Sequence, residues 1–486
     1  MDTVYWTLTS SLYLADLAIR IGLSIRVIMR KKTASESLAW LVVILLIPFA
    51  GAFIYLLFGE NRLGQKRVRR AASEIHILKT WVAGLLERHY IDWFKINPEC
   101  EPLHRLALST MGLPTMPGNN LTLISKADDF LSQLINDIDK SRSSCYLEFY
   151  IWTEGGVADE VVNALIRASL RGVHCRILLD SIGSDKFLKS KLITSMRENG
   201  INIIEALPAG ILRALFMRID LRNHRKIVII DGNIGYSGSQ NLVDPIIFKQ
   251  DEGVGQWVDT MIRVTGPVVE VISAAFLYDW YLENDISLDE AIKSSDIHPV
   301  ERAGNALVQL APSGPGYPED AIHNLLLTTI YAAREELVLT TPYFVPDNAI
   351  LAALKSAAQR DVQVTIIVPE KIDSTLVHYA SRARYGELIM AGVKVMLFKK
   401  GLLHAKTITV DRSFSLIGSV NLDMRSFWLN FELTLFIYDA NFTRELRELQ
   451  EEYISAAHCL DFKMLQKRTI GRRFLENCAL LVGPLL

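Results

Sequence analysis

One phrase occurs twice in this chain, and it restricts the fold more than any other feature. Residues 223–241 read NHRKIVIIDGNIGYSGSQN, and residues 403–421 read LHAKTITVDRSFSLIGSVN. Each copy holds His-x-Lys, four residues, Asp, six residues, then Gly-Ser-x-Asn. His224, Lys226, Asp231, Ser239 and Asn241 therefore match His404, Lys406, Asp411, Ser419 and Asn421. The polar positions keep register while the apolar filler drifts, as expected of one site built from two halves. The similarity extends outward: ALIRASLRGVHCRILLD (164–180) overlays ALKSAAQRDVQVTIIVP (353–369) without a gap. Such a repeat is too long for a solenoid unit. Short apolar strands alternate with helical patterns in each half, which predicts two α/β domains related by a pseudo-twofold, with helices on both faces of the sheets.

The flanks of this doubled body are different in character. Residues 38–58, LAWLVVILLIPFAGAFIYLLF, carry no charge, and a helix of that length matches the bilayer core. Pro48 should kink it. Residues 4–29 are apolar but include Asp16, Arg20 and Arg26. Asp16 and Arg20 are four apart and can pair on one helix face, so this segment either spans or lies in the interface. Residues 1–70 hold ten Lys and Arg against four acids, whereas the whole chain carries a net charge of −2. Arg30-Lys31-Lys32 lie between the two segments, and a larger basic cluster, 62–70, follows the second. A two-span hairpin does not put both on the cytoplasmic side. The larger cluster, adjoining the main body, predicts a body on the cytoplasmic side of a bacterial inner membrane. Five scattered cysteines make no disulfide framework or zinc site.

The expected organisation is a membrane anchor of two hydrophobic segments (1–60), a helical linker (61–120), a first half (121–300), a second half (301–465) and a basic, then apolar, tail (466–486). The tail reads as a membrane-surface helix or a buried terminal helix. An apolar insert, LPAGILRALFMR (207–218), precedes the first motif and is either core or a lipid-facing lip.

Strand alternation puts His224 with Lys226, and His404 with Lys406, on one face. At a pseudo-twofold, two imidazoles and two ammonium groups converge, with Ser239, Asn241, Ser419 and Asn421 supplying phosphate-binding donors. Such donors suit the charge that develops on a phosphoryl group. The lysines argue against a metal, because each would repel a cation two residues from its ligand. Asp231 and Asp411 fall on the opposite strand face near a turn, which makes them structural clamps within the motif. His174, His323 and His378 read as surface or packing residues, and the aromatics of EFYIW as core. Tyr343 and Phe344 are candidates for an acyl entrance.

The doubled motif resembles that of the phospholipase D superfamily. The wider chain is similar to its bacterial cardiolipin synthase branch, through LRNHRK (221–226), SGPGYPED (313–320), TTPYFVP (340–346), LLHAK (402–406) and NLDMRS (421–426). That resemblance implies catalytic His224, Lys226, Asp231, His404, Lys406 and Asp411, with Asp259 and Glu432 orienting the histidines and no cofactor. It implies phosphatidyl transfer between two phosphatidylglycerol molecules through a phosphatidyl-histidine, giving cardiolipin and glycerol. By analogy His224 is the nucleophile and His404 the acid and base, a choice that the symmetry of the motif does not make. The alternatives are a hydrolase or a transferase with another alcohol acceptor. The expected partners are phosphatidylglycerol, anionic lipids and the membrane, with no nucleic acid and with room for a homo-oligomer.

Overall fold

The computed structural model describes the chain except residues 1, 31–33, 61, 65–66, 71–74, 90, 209–217, 482 and 484–486. Most of the insert at 207–218 lies outside the described residues. The chain divides into two compact units: Met1–Arg69 with Ala209–Leu221, and Arg70–Pro208 with Arg222–Leu486.

In the first unit the uncharged run at 38–58 does not form one helix. It is split into Ala34–Leu46 and Ala50–Phe58, separated by a turn around Pro48. Proline lacks an amide hydrogen, and Phe49 takes a left-handed φ of 48°. The helix Asp2–Met29 supplies the missing partners. Arg20 donates to the Leu45 carbonyl at 2.6 Å, and Asp16 accepts from the Phe49 amide at 2.9 Å. Asp16 and Arg20 also pair with each other. The ion pair read on one helix face thus caps both broken ends. None of the described helices is both long and apolar enough to cross a membrane. The expected single span is corrected to two short helices.

The second unit is organised by one mixed sheet. The first-half strands of this unit, not all of them in that sheet, are β1 (Thr115–Ile124), β2 (Ser144–Phe149), β3 (His174–Asp180), β4 (Asn202–Ala206), β5 (Arg222–Asn223), β6 (Ile227–Ile230), β7 (Ile234–Gly238), β8 (Trp257–Val258) and β9 (Met261–Thr265). The second half contributes β10 (Ala306–Ser313), β11 (Glu336–Thr340), β12 (Phe344–Val345), β13 (Gln363–Pro369), β14 (Lys394–Phe398), β15 (Leu402–Leu403), β16 (Thr407–Val410), β17 (Phe414–Gly418), β18 (Leu422–Asp423), β19 (Asn430–Tyr438) and β20 (Ala457–Cys459). The order is β20-β14-β13-β11-β16-β17-β19-β10-β1-β9-β7-β6-β2-β3-β4. Read outward from the β1–β10 junction, β9-β7-β6-β2-β3-β4 mirrors β19-β17-β16-β11-β13-β14. The two halves therefore merge through antiparallel β1 and β10, with a register shift between Pro117 and Asn119. The turn-forming residues Pro117-Gly118-Asn119-Asn120 lie inside β1 and mark this irregularity.

Helix composition follows position in the layers. The helix Val268–Glu283 is apolar nearly all round and is buried on nearly all sides. The amphipathic helices Ala127–Lys140 and Val157–Leu170 bury one face each, through Phe130, Leu134, Val161 and Leu165. The tail helix Ile470–Leu481 docks Ala479 against Val345, Val377 and Ala380 while Ile470 and Phe474 stay exposed.

Each motif Asp closes its own hairpin. Asp231 and Asp411 take φ of 51° and 49°, a region that Asp tolerates better than most residues. The Asp231 carboxylate accepts the amides of Arg142, Ser143 and Ser144 at 2.8–3.0 Å. Asp411 accepts those of Arg334, Glu335 and Glu336 at 2.8–2.9 Å. Each ties the motif hairpin to the start of the neighbouring strand, β2 or β11. Asp411→Ala should lower unfolding free energy by about 1–3 kcal/mol, because three amides lose a charged acceptor. A thermal unfolding midpoint equal to wild type would refute that role.

Candidate active site

The two motif histidines are held on backbone supplied by the opposite half. β5 pairs in parallel with the start of β19, and the His224 amide donates to the Phe431 carbonyl at 2.8 Å. β15 pairs in parallel with β8, and the His404 amide donates to the Val258 carbonyl at 2.7 Å. The acids follow at once, Glu432 within β19 and Asp259 directly after β8. His224 Nδ1 lies 2.9 Å from Glu432 Oε2, and His404 Nδ1 lies 2.7 Å from Asp259 Oδ1. The pairing is thus crossed: each histidine takes its acid from the other half. All four side chains are buried.

An ionised carboxylate only accepts, so each Nδ1 carries the proton and each Nε2 keeps its lone pair. Burial, reinforced by the neighbouring lysines and opposed by the carboxylates, pushes both imidazoles down to about 4. Both are neutral near pH 7 before substrate binds. Asp259 is held down to about 2 despite burial, by His404, Lys406 and Ser239. Glu432 is likewise lowered despite burial, chiefly by His224 and Lys226.

The lysines complete the charge pattern. Lys226 and Lys406 Nζ each donate to the carbonyl of their own histidine at 2.6 Å, leaving further donors on each ammonium. Burial pushes Lys226 down to about 8, against the pull of Glu432 and Asp259. Lys406 is lowered by burial and also by repulsion from Lys226. Charges from both copies therefore share one pocket.

The motif serines have a different role from the phosphate binding expected of them. Ser239 Oγ donates to Asp259 at 2.6 Å and accepts from the Thr260 amide at 2.9 Å. Ser419 Oγ donates to Glu432 at 2.5 Å and accepts from the Leu433 amide at 2.9 Å. Both hydroxyls hold the orienting acids. Asn241 remains as a donor: its Oδ1 accepts from the Ile151 amide, and its buried Nδ2 has no protein partner, whereas Asn421 leaves an acceptor, Oδ1, unpartnered.

Several neighbours were missed in the sequence. The Tyr150 ring lies 5.0 Å from His224, and the Trp257 ring 4.4 Å from His404. Trp257 is two residues from Asp259, a spacing that could have flagged it. Tyr150 belongs to EFYIW, read as core. Arg225, between His224 and Lys226, is fully buried, donates to the Glu432 carbonyl at 3.0 Å and pairs with Asp279. Ser313 stands opposite Glu432 in the β10–β19 ladder, so the SGPG turn backs the acid strand. Phe344, proposed for an entrance, is core against Tyr385, and Tyr343 donates to Asp373. His323 packs on Phe427 and Trp428. Among the described residues no group of three or more His, Cys, Asp or Glu is placed to share a metal ion.

Comparison with known proteins agrees with this arrangement. The model described as "Cardiolipin synthase, PLD-like domain" matches residues 134–280 and 326–454, and "Phospholipase_D-nuclease N-terminal" matches 18–60. Cardiolipin synthase A of Yersinia pseudotuberculosis serotype O:3 is 43% identical over 96% of each chain. Cardiolipin synthase A of Erwinia tasmaniensis is 42% identical over the full length of both. Among solved structures, phosphatidylserine synthase of Haemophilus influenzae shares the fold at a TM-score of 0.59 and 15% identity, covering 79% of this chain and all of that one. With the doubled motif converging on one pocket, and relatives this similar over their whole length, the chain belongs to the bacterial cardiolipin synthase family of the phospholipase D superfamily.

Proposed function

We propose that the chain transfers a phosphatidyl group from one phosphatidylglycerol to a second, releasing glycerol and forming cardiolipin through a phosphatidyl-histidine. The observation that carries this reading is the pair of buried imidazoles, each oriented by a carboxylate, between two lysines. A free Nε2 is the nucleophile that a phosphodiester requires, and its carboxylate stabilises the positive ring formed on attack. The two carboxylates balance the two lysines while both rings are neutral. A phosphodiester adds one negative charge, which favours uptake of one proton by the second imidazole. That ring then gives its proton to the departing glycerol oxygen. As base, it later takes a proton from the acceptor hydroxyl, whose oxygen attacks phosphorus as the phosphorus–nitrogen bond breaks.

His224 is assigned as nucleophile and His404 as acid and base. Arg225 anchors the backbone of the acid that holds His224, whereas Ala405 occupies the equivalent place beside His404. Asp231 and Asp411 act through the hairpins and stay clear of the reacting atoms.

The N-terminal unit is read as the membrane anchor. Val4, Tyr5, Trp6, Leu8, Leu12 and Tyr13 are exposed along one helix, an apolar surface suited to lipid. The two short helices joined at the capped turn add further exposed apolar surface, through Val42, Leu46 and Phe53. The basic juxtamembrane residues support a body on the cytoplasmic side of the inner membrane.

With phosphatidylglycerol alone in detergent and no added divalent metal, cardiolipin and glycerol should form in equal amounts. Phosphatidic acid as main product would favour hydrolysis. His224→Ala and His404→Ala should each abolish synthesis. Rapid quenching with labelled lipid should trap an acid-labile, alkali-stable adduct on His224, and label on His404 would reverse the assignment. Glu432→Gln and Asp259→Asn should lower kcat by roughly 100-fold or more, with smaller changes in KM, because each removes the group that fixes the tautomer. Because Lys226 is charged only below about 8, kcat/KM should fall as pH rises through that value. Lys226→Arg should move that limb upward, and a profile flat to pH 10 would contradict the lysine's role.

A further inference from the structure

The reacting groups of this pocket are symmetric, but their surroundings are not. Arg222 stands two residues before His224, and the matching position before His404 is Leu402. Arg425 stands four residues after Asn421, and the matching position after Asn241 is Pro245. The two arginines come from different copies yet sit on neighbouring stretches of backbone. Arg222 pairs with Asn430 in the β5–β19 ladder. The Arg425 carbonyl, in the short helix Met424–Trp428, accepts the Leu429 amide at 2.8 Å, one residue earlier. Asn430 in turn donates to Glu432 at 3.2 Å, the acid of His224. Both guanidinium charges act on the Tyr150 hydroxyl, whose ring packs on His224.

The pseudo-twofold mates are apolar. Leu402 and Pro245 are buried, and Leu402 clusters with Val243, Phe248, Val254 and Trp257 beside His404. The arginines are partly exposed, whereas the histidines and lysines are buried. One side of the pocket is thus cationic at its rim, and the other is apolar.

We propose that Arg222 and Arg425 form a second anion subsite, which binds the phosphodiester of the acceptor lipid while the lysine pair holds the phosphate being cleaved. This rests on the transfer reading given above. An anionic acceptor must bring its own phosphate close to the reacting one, and the two repel. A guanidinium pair meets that charge with forked donors, a geometry that a lysine lacks. Asp180 lies in the electrostatic surroundings of Arg222, and Asp423 in those of Arg425. The subsite distinguishes a lipid acceptor from a neutral alcohol such as glycerol or water.

The test compares two acceptors on the same protein. Full-length protein in mixed micelles of phosphatidylglycerol is given labelled glycerol. Glycerol attack on the phosphatidyl-histidine breaks the phosphorus–nitrogen bond, passes the hydroxyl proton to the other imidazole and returns labelled phosphatidylglycerol. That exchange uses an acceptor without phosphate. Arg222→Ala and Arg425→Ala should each lower the ratio of cardiolipin formation to exchange by roughly tenfold or more, the scale of one lost charge-assisted hydrogen bond. Arg222→Lys and Arg425→Lys should recover part of the ratio. If an alanine variant does not fold, the ratio is read on the glutamine and lysine variants, with the same expectation for glutamine. A ratio equal to wild type, or a parallel fall in both reactions, overturns the subsite. A wild-type protein that neither synthesises nor exchanges would instead overturn the transfer reading.

Discussion

The site depends on a backbone exchange between the two halves. β5 lies on the start of β19 and β15 lies on β8, so each histidine is delivered beside an acid of the opposite half. Without those parallel pairings, each imidazole would lose its carboxylate and each buried carboxylate its partner. An unpaired buried charge is costly, so the exchange and the charges sustain one another. The continuous sheet through β1 and β10 fixes the distance over which this is done. Packed interiors deform little, which keeps the pocket from drifting.

Burial sets the chemistry of that pocket. Removal from water lowers both imidazoles and both lysines, and the acids only partly offset it. The result is a pair of neutral bases with fixed tautomers, held in a field that responds strongly to one added negative charge. The motif serines contribute by holding the acids. A hydroxyl that donates to a carboxylate and accepts a backbone amide has little freedom left, and its acid inherits that rigidity.

Much of this was legible in the chain. The doubled phrase identified the histidines, the lysines and the clamping role of Asp231 and Asp411, because strand alternation separates the two faces. The alternation of strands and helices along each half followed from apolar runs and turn residues. The N-terminal region was read less well: 21 uncharged residues suggest a span, but Pro48 and a left-handed Phe49 break the helix, and Asp16 and Arg20 make the break tolerable. Tyr150 was taken for core because it follows the fully buried β2, and sequence pattern does not show where a strand runs out of cover. Ser239 and Ser419 were assigned to phosphate because their acids, 20 and 13 residues away, could not be placed beside them.

The sequence by itself determined which groups gather at the site, in matched copies and at matched spacing, since local spacing decides which side chains share a strand face. Only the tertiary structure decided their partners. That His224 takes Glu432 and His404 takes Asp259 is a long-range pairing, 208 and 145 residues apart in sequence. Nothing in a symmetric motif encodes it. It follows from which short strand each half lends to the other, and that is settled by the packing of one sheet against its own repeat.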